Sequence, residues 1–245
     1  MKVAVITAYH ELTPELEQCM RSVRDQDYQN IIHIMVGDGC NLAFTPVNPV
    51  YNIVLPKNIN DYGDSPRAMG VLYAKSIGAD AIVFLDSDNW FTPNHIERMV
   101  QTATLNGSHV VACKRQICDL DGAVMGICPD SNGIMFCDTN CLLVTKALFE
   151  PLSFGWLIPD HLHMIGDRII WDRLIHSTEK VSILNEAGVY YRSAFPGHYR
   201  MFNRPLPSNI KTGNEILEQK DHIENLANRS FIRMKAILKP SDLAQ

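Results

Sequence analysis

Strand-like and helix-like segments alternate over the first hundred residues, and this alternation restricts the fold more than any other feature of the chain. Short apolar runs rich in β-branched residues predict strands. These runs are Val3–Thr7, Ile31–Val36, Asn52–Leu55 and Ala81–Leu85. Strands that are separated by helices form a largely parallel sheet with helices on both faces. The sequence therefore predicts an α/β fold.

Three Ser/Thr-Pro pairs predict where the intervening helices begin. A hydroxyl side chain caps a helix, and proline suits the first helical position because its missing N–H has no partner there anyway. The pairs are Thr13-Pro14, Ser65-Pro66 and Thr92-Pro93. Gly78 is a typical residue with which to end the second helix.

The second half of the chain is less regular. It contains five short strand-like runs and one helix, together with a proline- and glycine-containing stretch at residues 195–215 that predicts a long loop. The strands are expected at Val110–Cys113, Ile134–Phe136, Leu142–Val144, Val181–Leu184 and Val189–Tyr191, and the helix at Asp167–Ile175. The periodic tail from Glu215 to Leu238 predicts a C-terminal helical extension.

Length and charge limit the functions that are open to the chain. Its 245 residues suit one generous domain, and a formal net charge of -5 argues against a nucleic-acid partner, which would need a basic surface. Neither a secretory signal nor an apolar run of transmembrane length is expected. The C-terminal helix has three open roles: forming a homodimer, touching a membrane surface peripherally or contacting another partner.

Five of the seven cysteines fall within one segment, which raises the question of a zinc site. They are Cys113, Cys118, Cys128, Cys137 and Cys141, and no two form a C-x-x-C pair. Structural zinc sites usually have tighter paired spacings, so buried free thiols are the preferred interpretation. Free thiols favour a reducing, cytoplasmic location.

The strongest chemical feature is Asp86-Ser87-Asp88, directly after the buried strand at Ala81–Leu85. Ligands of α/β proteins bind beyond the carboxyl ends of strands. Two carboxylates one residue apart repel each other unless a cation is near, and Mg²⁺ or Mn²⁺ prefers such oxygen ligands. An isolated Asp-x-Asp is more often a solvated turn, so its position after a buried strand is what points to a metal and a diphosphate.

Other polar residues follow the first two strands. Asp38 lies between Gly37 and Gly39, which allow a ligand to approach the backbone closely. Thr7-Ala8-Tyr9 ends the first strand at the same edge of the sheet, where Tyr9 could stack on a base or simply pack.

The blocks that contain these residues, in this order and spacing, resemble the GT-A fold of the family 2 glycosyltransferases. The blocks are Val5–Tyr9, Val36–Gly39, Pro66–Gly70 and Phe84–Asp88. The resemblance is clear over residues 1–100 and extends to about residue 200. It implies a glycosyltransferase domain at residues 1–210, with a nucleotide-binding half at 1–100, an acceptor-binding half at 101–210, and a helical extension at 211–245.

The resemblance also implies roles for individual residues. Thr7, Ala8, Tyr9 and Asp38 would hold the base and ribose of a UDP- or GDP-linked sugar, and Arg67 would face the same crevice. Asp88 would be the main ligand of a Mn²⁺ or Mg²⁺ ion, and Asp86 would reach the ribose, the donor sugar or the metal. The family's Asn is replaced by Ala68 and its Asp-Asp-Gly-Ser by Gly37–Cys40, so the nucleotide stays open.

Ile165–Arg168 is similar to the family's Glu-Asp pair at the start of a helix, with Gly166 in place of the Glu. The resemblance makes Asp167 the general base of an inverting transfer to an acceptor hydroxyl. His198 is expected as a metal ligand from a mobile loop, with Arg200 or Arg204 meeting the diphosphate. The family's Gln-x-x-Arg-Trp motif for processive synthesis is absent, which favours addition of a single sugar.

Two other readings stay open at this point. A strand that ends in Asp-x-Asp also resembles the haloacid-dehalogenase phosphohydrolases, where Asp86 would be a covalent nucleophile. A lectin-like binding protein would not need an acidic metal pair together with Asp167.

Overall fold

A computed structural model of the chain describes residues 1–42, 50–208 and 219–238. The first hundred residues alternate between strands and helices as predicted. The elements are β1 (Val3–Tyr9), α1 (Pro14–Arg24), β2 (Ile31–Gly37), β3 (Val50–Val54), α2 (Asp64–Ser76), β4 (Ala81–Phe84), β5 (Trp90–Phe91) and α3 (His95–Asn106).

The helix starts follow the expected chemistry in one case of three. Thr13 caps α1, because its hydroxyl accepts a hydrogen bond of 3.2 Å from the Leu16 amide. The caps predicted at Ser65 and Thr92 are each wrong by two residues. Helix α2 begins at Asp64 after the left-handed Gly63, and α3 begins at His95 after Asn94.

Four more strands follow in the second half: β6 (Val110–Cys118), β7 (Val124–Ile127), β8 (Leu142–Thr145) and β9 (Val181–Arg192). The strands form one mixed sheet in the order β3-β2-β1-β4-β8-β6-β9-β5, with β7 pairing with β6. The four strands from the first half, β3, β2, β1 and β4, are mutually parallel. Strand β8 is antiparallel to both of its neighbours, whereas β6 and β9 run parallel to each other. The prediction of a mixed, largely parallel sheet flanked by helices is confirmed.

The core lies around β1, β4 and β8, whose apolar side chains are buried on both faces of the sheet. Helix α2 packs closely on β1 at Gly70. A Cβ atom there would lie 2.4 Å from Cγ2 of Ile6, so only glycine allows this approach. The close contact fixes the start of α2, and with it Arg67, beside the end of β1.

The second half departs from the prediction at three places. The two strands expected at 181–184 and 189–191 are one twelve-residue strand, β9, which pairs along most of β6 through register shifts. Residues 134–136 form no strand, because Asn132 holds a turn there by accepting hydrogen bonds from the Ile134 and Met135 amides. The stretch expected as a loop contains the helix α6 (Pro196–Met201); its part at 209–215 lies outside the described residues.

The remaining elements belong to the second half of the chain. They are α4 (Phe149–Gly155), α5 (Gly166–Ser177) and the C-terminal helix α7 (Lys220–Ile237). The predicted helical extension is present as α7, which packs against α5. The domain boundary predicted at residue 210 lies outside the described residues. No described helix has the length and apolar character that crossing a membrane would require.

Candidate active site

A cleft of about 630 Å³ opens at the carboxyl ends of β1, β2 and β4. Parallel strands end together at this edge of the sheet, and the first turn of α2 closes one side. Seven predicted residues line it. They are Ala8, Tyr9, Asp38, Arg67, Asp86, Ser87 and Asp88.

Asp86 is held by two partners. Its Oδ1 atom accepts a hydrogen bond of 2.5 Å from Nη2 of Arg67, and its Oδ2 atom accepts one of 2.7 Å from the amide of Asn140. Burial alone would raise the pKa of Asp86, but Arg67 and Asn140 together lower it below its usual value. Asp86 therefore stays ionised, and both of its oxygens already have donors.

Four neighbouring groups contact the guanidinium of Arg67. Besides Asp86, its guanidinium donates to the backbone oxygen of Tyr62 at 2.9 Å and lies 3.7 Å from Oδ1 of Asp64. It also sits over the ring of Trp156, 5.2 Å from the centroid. A cation oriented in this way suits a diphosphate, because the guanidinium presents several donors in a fixed plane.

Asp38 organises the loop that forms the other wall of the cleft. Its carboxylate accepts hydrogen bonds from the amides of Ile59 (2.8 Å) and Asn60 (3.2 Å). In the same loop Asn60 and Tyr62 have left-handed φ values of 58° and 59°. A bulky residue rarely adopts that conformation outside sites where the surrounding structure imposes it. Asp38 thus reaches the cleft and shapes it at the same time.

Two of the predicted base-binding side chains are buried and paired inside the protein, although Tyr9 also lines the cleft. Thr7 is fully buried, and its hydroxyl pairs with Nε2 of His33 at 2.9 Å. The Tyr9 ring is 2% exposed, and its hydroxyl donates to Asn52 at 2.8 Å. Tyr9 therefore packs in the core and offers no open ring face for stacking on a base.

Asp88 and Arg192 lie at the mouth of the cleft. Asp88 is exposed, and its backbone oxygen accepts a hydrogen bond of 3.2 Å from Nε of Arg192. Arg192, at the end of β9, lines the cleft and also bonds to Gln18 and to the backbone oxygen of Leu120. Sequence reasoning missed Arg192, because the predicted strand ended one residue earlier.

His198 is not brought to the aspartates. Its ring is 7% exposed and packs against Tyr191 and Phe195, while Nδ1 pairs with the Ser193 hydroxyl at 2.7 Å. Burial, and then the nearby charge of Arg115, lower its pKa to about 4. The expectation of a metal ligand on a mobile loop is not supported, because the residue sits in α6 instead. Among the described residues, no three His, Cys, Asp or Glu side chains form a metal cluster.

Asp167 lies in the first turn of α5, as the sequence predicted for a helix start. Its Oδ1 atom accepts a hydrogen bond of 2.8 Å from the Arg168 amide. Burial, followed by the charge of Asp138, raises its pKa to about 6, against the opposing charges of Arg168 and Arg115. A carboxylate with this proton affinity can accept a proton near neutral pH. Asp172, farther along α5, is paired with Arg229 at 3.0 Å.

No cysteine, and neither Arg200 nor Arg204, is among the residues that line the described cleft. All seven cysteines are free thiols and six are buried, in agreement with the preferred interpretation. Arg200 and Arg204 are exposed.

The comparisons with known proteins agree with this geometry. The profile of glycosyl transferase family 2 matches residues 3–132, which is more than half of the chain. The chain belongs to glycosyl transferase family 2. A relative, EpsH of Bacillus subtilis (strain 168), is named as a glycosyltransferase and is 28% identical over 104 residues, 41% of this chain and 30% of EpsH.

The structural comparison extends the likeness to nearly the whole chain. S. aureus TarS 1–349 superposes with a TM-score of 0.62 and 16% identity, covering 95% of this chain and 71% of TarS 1–349. The chain covers 44% of a longer TarS structure, with a TM-score of 0.60 and 17% identity. At this identity the likeness shows the fold, which is the GT-A fold. Other TarS 1–349 structures contain UDP or UDP-GlcNAc. The chain therefore spans less than a third of EpsH and less than half of the longer TarS.

Proposed function

We propose that this chain transfers a sugar from a nucleoside-diphosphate sugar to an acceptor hydroxyl. The observation that carries the proposal is the Arg67–Asp86 pair beside Asp88, at the strand ends of a family 2 domain. Arg67 offers a diphosphate an oriented cation, and Asp38 organises the opposite wall. UDP and UDP-GlcNAc in the TarS structures support a uridine nucleotide as the first donor to test.

A divalent cation fits this donor set in one specific way. Asp88 is exposed beside the cleft and would be the main protein ligand, with Asp86, which Arg67 and Asn140 hold in place, in support. Mg²⁺ is commonly held by one or two carboxylates together with substrate phosphates. When bound, Mn²⁺ or Mg²⁺ would neutralise charge on the leaving diphosphate. His198 is not part of this proposal.

In the proposed inverting reaction, Asp167 takes the proton of the acceptor hydroxyl. The acceptor oxygen forms a bond to the anomeric carbon while the bond from that carbon to the diphosphate oxygen breaks on the opposite face. The electron pair of the broken bond leaves with the nucleoside diphosphate, whose charge Arg67 meets. A general base contributes about 10²- to 10⁴-fold to the rate of such a step.

The phosphohydrolase alternative is not favoured. The matching family profile is that of glycosyl transferase family 2. A nucleophilic aspartate also needs an oxygen that is free to attack the phosphorus atom of a substrate. Both oxygens of Asp86 are instead paired, one with Arg67 and the other with Asn140. The cytoplasmic location stays a prediction from the cysteines, and the homodimer and the peripheral membrane contact stay predictions for the C-terminal helix.

Thermal unfolding with a panel of nucleotides tests the proposal. We expect UDP or GDP, and the corresponding sugar nucleotides, to raise the melting temperature, more strongly with Mn²⁺ or Mg²⁺ than with EDTA. Asp88→Asn should remove the metal-dependent part of this rise. Turnover of an aryl phosphate without any nucleotide effect would contradict the proposal and favour a phosphohydrolase.

A further inference from the structure

A buried polar network lies behind the cleft and is centred on Asn140, which is fully buried. Its amide nitrogen donates to Oδ2 of Asp86 and to Oδ1 of Asp138, both at 2.7 Å. Its side-chain oxygen accepts the backbone N–H of Asp86 at 2.6 Å. The carboxamide thus bridges two carboxylates and also binds the backbone of the first one. Aspartate at this position could not donate to either carboxylate.

Asp138 extends the network toward β6. Its Oδ2 atom is paired with the guanidinium of Arg115, and its own amide donates to the Ser131 hydroxyl at 3.0 Å. Both members of the ion pair are buried, and Arg115 lies over the ring of Tyr191, 4.0 Å from the centroid. A buried ion pair is often no more stabilising than apolar side chains of the same volume. Its presence here therefore invites a functional explanation.

The same two charges act on Asp167. Asp138 follows burial as the cause that raises the pKa of Asp167, and Arg168 and Arg115 are the cations that oppose it. Asp138 therefore contacts the donor side of the site through Asn140 and influences the base on the acceptor side. The geometry supports this link, because the short turn at Thr139–Cys141 contacts both β6 and α5. Arg115 and Arg168 also lie over the same ring, that of Phe136, at 5.9 Å and 4.1 Å from its centroid.

We propose that Asp138 and Asn140 form one positioning unit, which orients Asp86 for the donor and keeps Asp167 ready to accept the acceptor's proton. The inference rests on the proposed function. Neither residue lines the described cleft, so both act through other residues. The unit explains why an amide stands between two carboxylates at position 140 and why a buried carboxylate stands beside the cation Arg115.

The first test is the pH profile of kcat in Asp138→Asn. Without the Asp138 charge, Asp167 faces Arg115 and Arg168 unopposed, so the acidic limb should move to lower pH by about one unit. The affinity for UDP should stay within about twofold. An acidic limb that does not move in a folded Asp138→Asn protein would overturn the inference.

The double variant Arg115→Met/Asp138→Asn guards against misfolding caused by an unpaired buried arginine. It removes both charges, so its acidic limb should lie between those of the wild type and Asp138→Asn. Titration of the Asp167 carboxyl by ¹³C NMR reports the same shifts without donor or acceptor. This measurement separates a failure of the inference from a chain that transfers no sugar.

The second test is Asn140→Asp, which replaces a bridging donor with a third carboxylate. We expect UDP affinity to fall at least about tenfold at pH 7.5 and to recover partly toward pH 5.5, as the added carboxyl gains a proton. A merely structural loss would not recover with pH. Asn106→Asp at the exposed end of α3 is the matched control and should bind UDP as the wild type does. A folded Asn140→Asp protein with wild-type affinity would overturn the donor-side half of the inference.

Discussion

The two halves of this domain, which we propose bind the donor and the acceptor, place their charged groups in different ways. In the donor half, Asp38 follows β2 directly, Asp86 comes two residues after β4, and Arg67 lies in the first turn of a helix beside them. In the acceptor half, Arg115 lies within a strand and Asp138 in a turn, and both are buried. The charged residues of the first half line the cleft, whereas Arg115 and Asp138 of the second half lie behind it.

This difference suggests a division of work. In the proposed reaction the donor half meets a ligand that brings its own negative charge, and Arg67 and Asp86 line the cleft that would receive it. The acceptor half must receive a proton from a neutral hydroxyl, which requires a carboxylate with raised proton affinity. Burial and the neighbouring carboxylate Asp138 raise the pKa of Asp167 to about 6, and both are available only inside the fold.

The largest expected effect is that of Asp167→Asn on transfer. Because asparagine cannot accept the proton, we expect kcat to fall by about 10²- to 10⁴-fold, while UDP affinity stays near that of the wild type. Transfer assays and UDP titrations measure the two quantities separately. Asp160→Asn, an exposed carboxylate seven positions earlier, is the matched control. Full activity of Asp167→Asn would assign the base to another residue.

A substitution in the donor half should instead lower the affinity for UDP. Arg67→Met removes the oriented cation and leaves Asp86 without its partner, so we expect UDP affinity to fall by about 10- to 100-fold, the range for a lost charge-assisted hydrogen bond. Calorimetric titration measures the change. Arg200→Met removes an exposed arginine outside the described cleft and should leave the affinity unchanged. Equal losses in both variants would contradict the assignment of Arg67.

The sequence predicted where the candidate donor residues lie in the fold, because these residues follow a simple rule. Each comes just after a buried strand or at a helix start, so finding the strand also found Asp38 and Asp86. The failures have physical causes. Thr7 and Tyr9 satisfy the same rule, but their side chains point to the buried face and pair with His33 and Asn52. Strand position alone does not specify which way a terminal side chain points.

The acceptor half was harder to predict because its contacts join residues that are distant along the chain. Asn140 meets Asp86 across 54 positions, and no periodic pattern indicates such a pair. One signal was available: the three polar residues Asp138, Thr139 and Asn140 precede the buried run Leu142–Val144, with only Cys141 between them. Polar residues next to a buried strand are expected to be hydrogen-bonded inside the protein. The loop predicted around His198 is wrong for a local reason, because Pro196-Gly197 begins the helix α6 instead.

Stability should respond to pH with opposite signs in the two halves. The folded pKa of Asp167 is raised from 3.8 to about 6, so the folded state binds more protons than the unfolded chain between these values and stability falls as pH rises through them. At pH 7, Asp167→Asn should therefore be more stable than the wild type by about 1–2 kcal/mol. The advantage should disappear toward pH 4.

The folded pKa of Asp86 is lowered instead, so its ionised form stabilises the fold above the usual pKa of 3.8. Asp86→Asn should then be less stable than the wild type at pH 7, and the difference should shrink as pH falls below 4. Urea unfolding at several pH values measures both variants. The same sign for both at pH 7 would contradict the distinction between the two halves.

The smallest expected effect is that of a substitution in the C-terminal helix α7. It tests whether α7 stabilises the acceptor half without affecting donor binding. Nε of Arg233 donates to the backbone oxygen of Ile175 at 2.9 Å, and its Nη2 to that of Thr178 at 3.4 Å, at the end of the helix that begins with Gly166 and Asp167. Arg233→Ala should cost about 1 kcal/mol, a fall of about 2–4 °C in melting temperature. Lys235→Ala, on the same helix, is the control.

The rise in melting temperature on adding UDP should be the same in both variants, because α7 supports α5 and the donor residues lie on other elements. A smaller rise in Arg233→Ala alone would show instead that the two halves respond to the donor together.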